Sequence, residues 1–262
     1  MSRLHGRRSA GCGKVGLLAL SVTILTGASA QAQTPAVDPE AVELLRRTTE
    51  YLGSLEQFSV HAQNTFEDVL DSGHRVDFEV SGTALVSRPD KLRTERHGDD
   101  IDQIFFYDGE TLTLYNPHDK VWAQEPAPGT IEEMFQFAHD WLGISTPISD
   151  LVHRDPFPLL MQGVNLAVVI GKSVIGGVMC DHLLFSRPDV DFQIWVADSG
   201  PPLPIKYVVT DTGTPELLSV SAVMSNWNLA PDAPDESFTF VAPAGTREIT
   251  FLKAETSGGS SR

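Results

Sequence analysis

The chain has 262 residues, 41% of them hydrophobic, with 35 acidic against 19 basic side chains and a formal charge of −16. That length is ample for one large core, while the acidic balance disfavours nucleic acid and anionic lipid surfaces as partners. The longest apolar run, residues 15–25, is too short to span a bilayer, so no stable membrane insertion is expected.

Arg3, Arg7, Arg8 and Lys14 precede that run, and Ala28-Ser29-Ala30 and Ala32 follow it. This is the pattern of a secretory signal peptide, with cleavage near Ala30 or Ala32 and delivery to the periplasm. Removing residues 1–32 leaves 15 basic and 35 acidic side chains, a net charge of −20. Cys12 leaves with the signal, and no cysteine stands at the junction to be acylated. Cys180 is then the one thiol of the mature chain, which can form no internal disulfide and must be held by its core. The expected plan is a signal peptide over 1–32, a single domain over 33–253 and a disordered polar tail over 254–262.

Asp38-Pro39 predicts a helix over 39–55, with Asp38 as N-cap and Pro39 where a missing N–H costs nothing. Val42, Leu45 and Leu52, with Leu44, Tyr51 and Leu55, give it an apolar face. Strands follow. Phe58, Val60, Ala62, Asn64 and Phe66 share one side of the first, and Val76, Phe78, Val80, Ala84 and Val86 one side of the second. Such alternation marks an antiparallel sheet with one dry face. Arg88-Pro89-Asp90 interrupts the ladder and residues 92–97 resume it. Residues 101–125 then form a three-stranded meander, turned at Asp108-Gly109 and at Asn116-Pro117-His118-Asp119.

Pro126, Pro128 and Gly129 stop the sheet, and Thr130 with Glu133 makes a capping box before a helix over 130–142. Ile131, Met134, Phe135, Ala138, Trp141 and Leu142 fall at helical spacing, and Gly143 terminates it. A short helix over 147–153 and a Pro-broken segment over 156–162 complete a helical insertion, 130–162. Strands return at 166–172, 178–187, 191–197, 205–210 and 217–227, and Phe238, Phe240 and Val241 predict a last short one. The total is ten or eleven strands in an α+β chain that is mostly β.

The chemistry-bearing motifs are sparse. Gly171-Lys172-Ser173 lacks the earlier glycine and the following helix of a phosphate-binding loop. Cys180 and His182 share a strand face and are the weak candidates for a metal or a thiolate–imidazole pair, without a second ligand pair. His139-Asp140, His153 with Asp155, and Asp181-His182 are neighbours in sequence only, which is not catalytic geometry. No catalytic residue, cofactor or metal is assigned. The apolar residues of the insertion belong mainly to the core, and a greasy pocket beneath a movable helical cover is a second use for them.

The leading helix, the long hairpin strands, Arg88-Pro89-Asp90-Lys91-Leu92-Arg93, Tyr107-Asp108-Gly109 and Leu114-Tyr115-Asn116-Pro117 together resemble the LolA/LolB-type carriers and sensors of the bacterial envelope, over residues 38–253 in plan. The second half is similar to a family of uncharacterised predicted periplasmic proteins. The residues in common are Gly171, Gly176, Cys180-Asp181-His182-Leu183, Asp191-Phe192-Gln193-Ile194-Trp195, Leu203-Pro204, Trp227 and Phe238-Thr239-Phe240. The carrier resemblance implies a half-open antiparallel barrel covered by helices, which holds acyl chains of lipoproteins, and an arginine, here Arg88, that helps to hold the cover.

The expectation is therefore a non-enzymatic binding protein for a hydrophobic small molecule, a lipid or a lipidated protein. Leu45, Tyr51, Phe78, Arg88, Phe106, Met134, Phe135, Phe137, Trp141 and Trp195 are its candidate cavity and cover residues. The alternatives are an envelope protein-interaction or stress-sensing module with a filled core, and a metal or thiol enzyme at Cys180 and His182.

Overall fold

Thirteen consecutive pairs, from Gln57↔Ser87 to Val69↔Arg75, join β1 (Gln57–Val69) to β2 (Arg75–Ser87) and set the register of everything that follows. A computed structural model describes residues 36–99, 101–144 and 149–251, so the signal segment 1–32 and the tail 254–262 lie outside the described residues. The meander continues through β3 (Lys91–Gly98), β4 (Asp102–Tyr107), β5 (Thr111–Asn116) and β6 (Val121–Pro126). Asp108 Oδ1 accepts from Thr111 N at 2.9 Å, and Gly109 takes a φ of 98°, the left-handed conformation that the β4–β5 turn requires.

A second meander comprises β7 (Leu166–Ile175), β8 (Val178–Arg187), β9 (Val190–Ala197), β10 (Pro204–Asp211) and β11 (Ser219–Asn228). Its last strand returns to pair with β1, with Ala62 opposite Met224. The two meanders fuse into one curved, unclosed sheet of order β12-β6-β5-β4-β3-β2-β1-β11-β10-β9-β8-β7. Pairing is antiparallel except at β12 (Arg247–Glu248), which runs parallel to β6 and covers that edge. A bridge from Val37 to Ala167 partly covers the other.

This topology dictates where the helices go. β6 and β7 lie near opposite edges yet are consecutive in sequence, so the link between them must cross a face of the sheet. It carries α2 (Ile131–Leu142) and α3 (Pro156–Met161). Thr130 Oγ1 accepts from Glu133 N and Glu133 Oε2 accepts from Thr130 N, both at 3.2 Å, and Gly143 ends α2 in the left-handed region. α1 (Pro39–Ser54) joins the same face, capped by Asp38 Oδ1 accepting from Glu40 N at 2.9 Å. Leu45 and Leu52 of α1 and Ile131 and Met134 of α2 are fully or almost fully buried with Leu92, Tyr107, Phe192 and Tyr207 of the sheet. The helix-covered side is thus the inner face.

Three sequence expectations are corrected. Phe238, Phe240 and Val241 form no strand: Asp235–Ser237 is a 3-10 turn between prolines, and Phe240 instead packs on the outer face against Phe106, Tyr115 and Trp122 at 5.4–5.5 Å. The last strand is β12. The helix expected over 147–153 is a 3-10 turn at Ser149–Val152, with 147–148 outside the described residues, while the Pro-broken stretch is the helix α3, which starts on Pro156.

Candidate functional site

Inward side chains of the first meander stack in rows two residues apart, a step of about 7 Å along the strands. The row beneath the helices, Phe58, Val86, Leu92, Tyr107 and Leu112, is large and fully packed. In the next row the residues shrink to Val60, Ala84 and Thr94, beside Phe105 and Leu114. In the third they shrink further, to Ala62 and Gly82, beside Arg96 and Gln103. Small residues in consecutive rows leave space that neighbours cannot fill. A cavity of about 360 Å³ lies there, roofed by Phe135 of α2 with Ile144 and Val152. Gly82 lies in this floor, where a side chain is excluded because a Cβ would come within 2.9 Å of the Glu95 carbonyl oxygen on the neighbouring strand.

The walls near the roof are apolar and the third row is polar. Arg96 is half-buried, its guanidinium 5.9 Å from the Phe66 ring centroid, and burial holds its pKa below the usual guanidinium value. Asn64 Nδ2 donates to Val80 O at 3.1 Å, one row further out. Glu95 contributes backbone to the cavity, while its carboxylate pairs with Arg93 Nη2 at 2.5 Å on the outer face.

The helical cover is tied down by Arg88, only 7% exposed. Its Nε donates to Leu55 O at 3.0 Å, Nη1 to Val152 O at 2.6 Å and Nη2 to His153 O at 3.2 Å. One guanidinium therefore joins the sheet, the end of α1 and the segment after α2. Glu132 Oε1 accepts from Arg154 N at 2.7 Å, and Arg154 pairs with Glu56 at 2.9 Å, closing the same seam from outside.

Of the ten residues singled out from sequence, Phe135 alone lines this cavity. Leu45 and Met134 are fully buried in the core, and Phe137 packs against it partly buried. Tyr51 and Phe78 are half-buried, the latter on the inner face beyond the polar row. Trp141 is 58% exposed. Phe106 and Trp195 lie on the outer face, since Phe105 and Ile194 beside them point inward. Sequence reading missed Ala62, Ala84, Thr94, Arg96 and Gln103. The signal available was the run of small or polar residues at inward strand positions.

Cys180 and His182 share the outer face, as alternation predicts, but do not form a reactive pair. Cys180 is fully buried and burial raises its thiol pKa, opposing the thiolate. His182 stacks on Trp195 at 4.0 Å, and its Nε2 lies 2.9 Å from Gln193 Oε1. Among the described residues no group of three or more His, Cys, Asp or Glu side chains is placed to hold a metal, and no helix is long and apolar enough to cross a membrane.

A family model described as predicted periplasmic protein, DUF2092, matches residues 41–252. No curated protein matches the chain. Among solved structures, the lipoprotein LppX of Mycobacterium tuberculosis is 16% identical, with 74% of this chain and 98% of that chain covered at a TM-score of 0.44. An uncharacterised conserved protein from Thermus thermophilus is 10% identical over 80% of this chain and 99% of that chain, at 0.46. A LolA superfamily protein from Nitrosomonas europaea is 12% identical over 76% and 97%, at 0.35.

Proposed function

The chain belongs to the DUF2092 family of predicted periplasmic proteins, and on that premise we propose that it is a non-catalytic periplasmic binding protein that houses one acyl chain of a lipid or lipidated protein. In this reading residues 1–32 direct export and are removed near Ala30 or Ala32, and residues 33–253 form the binding domain. The observation that carries the proposal is the cavity of about 360 Å³ between the shrinking rows of the sheet and α2. Its volume falls in the range of about 300–1,000 Å³ typical of small-molecule sites.

Burying an acyl chain needs no titratable machinery, only apolar walls. Each methylene removed from water contributes about 0.8 kcal/mol, so ten of them contribute about 8 kcal/mol, the scale of a micromolar Kd before ordering costs. The test is native mass spectrometry of protein purified from its host without detergent. A co-purifying mass of lipid size, released on denaturation, supports the proposal. A protein that is ligand-free under the same conditions and binds no added fatty acid refutes it.

A second reading, surface docking of an envelope protein partner, is favoured by Ile170, Val174 and Met179, exposed by 54%, 58% and 42% on the β7–β8 edge hairpin. It predicts a single stoichiometric partner in a periplasmic pull-down that is lost on Val174→Glu.

A further inference from the structure

The third row of the cavity floor breaks the apolar pattern at Arg96, whose charge meets the Phe66 ring at 5.9 Å but, among the described residues, no carboxylate. Among the described residues no ion pair or hydrogen bond engages the Arg96 side chain, and desolvation is the one influence on its pKa. Among the described residues the one acidic residue lining the cavity, Glu95, is turned away and paired with Arg93. A half-buried cation without a counter-charge is costly to keep, more so in a protein of net charge −16 where carboxylates are plentiful. Gln103, directly opposite on β4, and Asn64, one row out, add polar groups around the same spot.

The apolar part of the cavity begins one row away. Between Arg96 and Leu92 lie two row steps, about 14 Å along β3, and over that distance the lining passes from Arg96 and Gln103 through the row of Thr94, Phe105 and Leu114 to Leu92. Such a site is amphipathic along its length, with one cation at its outer end and the helical roof at its inner end. Resting on the binding reading above, we propose that the cavity takes a single-chain anionic amphiphile, its carboxylate or phosphate at Arg96 and its tail running toward Leu92 beneath α2. Gly82 fits this arrangement, since the absence of its side chain leaves room beside the Arg96 stem.

The test compares decanoate, decyl phosphate and decanol by calorimetric titration of the wild type, Arg96→Gln and Arg96→Lys, with circular dichroism confirming that each variant is folded. In the wild type at least one of the two anions binds about tenfold tighter than decanol or more, as a charge-assisted hydrogen bond requires. Whichever anion binds tighter identifies the head group. In Arg96→Gln that preference collapses to within about twofold while decanol binding is retained, and Arg96→Lys keeps part of it. Decanol binding as tightly as both anions, or an Arg96→Gln variant that keeps the preference, overturns the assignment of Arg96 and leaves the binding reading standing. Failure of all three compounds to bind overturns both.

Discussion

Replacing Arg88 by Met keeps the aliphatic stem but removes all three hydrogen bonds that tie the sheet to Leu55, Val152 and His153. Each bond from a charged donor contributes about 1.5–3 kcal/mol, but deleting the guanidinium also recovers the cost of desolvating it, and water partly re-satisfies the freed carbonyls. The net loss is about 3 kcal/mol. For a domain of this size, 1 kcal/mol shifts Tm by about 2–4 °C, so Arg88→Met lowers it by roughly 6–12 °C. Arg88→Lys restores part of that, because an ammonium reaches fewer of the three carbonyls. The assay is thermal unfolding followed by circular dichroism, with hydrogen exchange resolved by segment. The loss of protection concentrates at Val152–Arg154 and at the end of α1 before the sheet is affected. A Tm within about 1 °C of wild type, or faster exchange spread evenly over the molecule, refutes the idea that this side chain pins the cover.

Ala84→Leu extends a side chain into the second row of the cavity floor. It lowers affinity for a fluorescent fatty acid by about tenfold or more while Tm stays level or rises, since cavity filling commonly adds about 0.5–2 kcal/mol. Phe135→Ala removes the roof and its stacking on His153. Because Phe135 is only partly buried, urea unfolding shows a loss of about 2 kcal/mol, below the range for a fully buried phenylalanine.

The Tyr107 hydroxyl donates to Pro128 O, and burial raises its pKa to about 12 from an ordinary 10.0. A raised folded-state value stabilises fully below pH 10 and loses that contribution as pH climbs through about 12. Tyr107→Phe therefore flattens the alkaline limb of a stability–pH curve measured by urea unfolding. Glu56 behaves oppositely. Its hydrogen bond and ion pair with Arg154 hold its pKa below the ordinary 4.5, so its contribution is present above that pH and fades as acid protonates it. Glu56→Gln removes that acid-side decline by lowering stability near neutrality while leaving the acid end of the curve unchanged.

Elements whose local chemistry is self-sufficient are legible from the sequence. The Asp38 and Thr130 caps, the Asp108-Gly109 turn and the inward faces of β1 and β2 stand where period and capping chemistry predict. The terminal strand is not, because Phe240 is held by aromatic contacts with residues more than a hundred positions away, which no local pattern reveals. The cavity escapes sequence reading for a different reason. Large apolar residues such as Leu45 and Met134 draw attention as a pocket lining, yet they are the ones that pack and leave no space. Space arises where Ala62, Gly82 and Ala84 fall side by side, and seeing that requires the β1–β2–β3 register. Asn64 on an otherwise apolar strand face is the visible hint that the inner surface is not uniformly dry.

The site itself is most directly tested by methyl NMR of Ala-, Ile-, Leu- and Val-labelled protein titrated with a carbon-13 fatty acid. Contacts from the acyl chain to the methyls of Ala84, Leu92, Leu114, Ile144 and Val152 are the predicted result. Perturbations confined to Ile170, Val174 and Val178 on the β7–β8 hairpin, with those five methyls silent, contradict it.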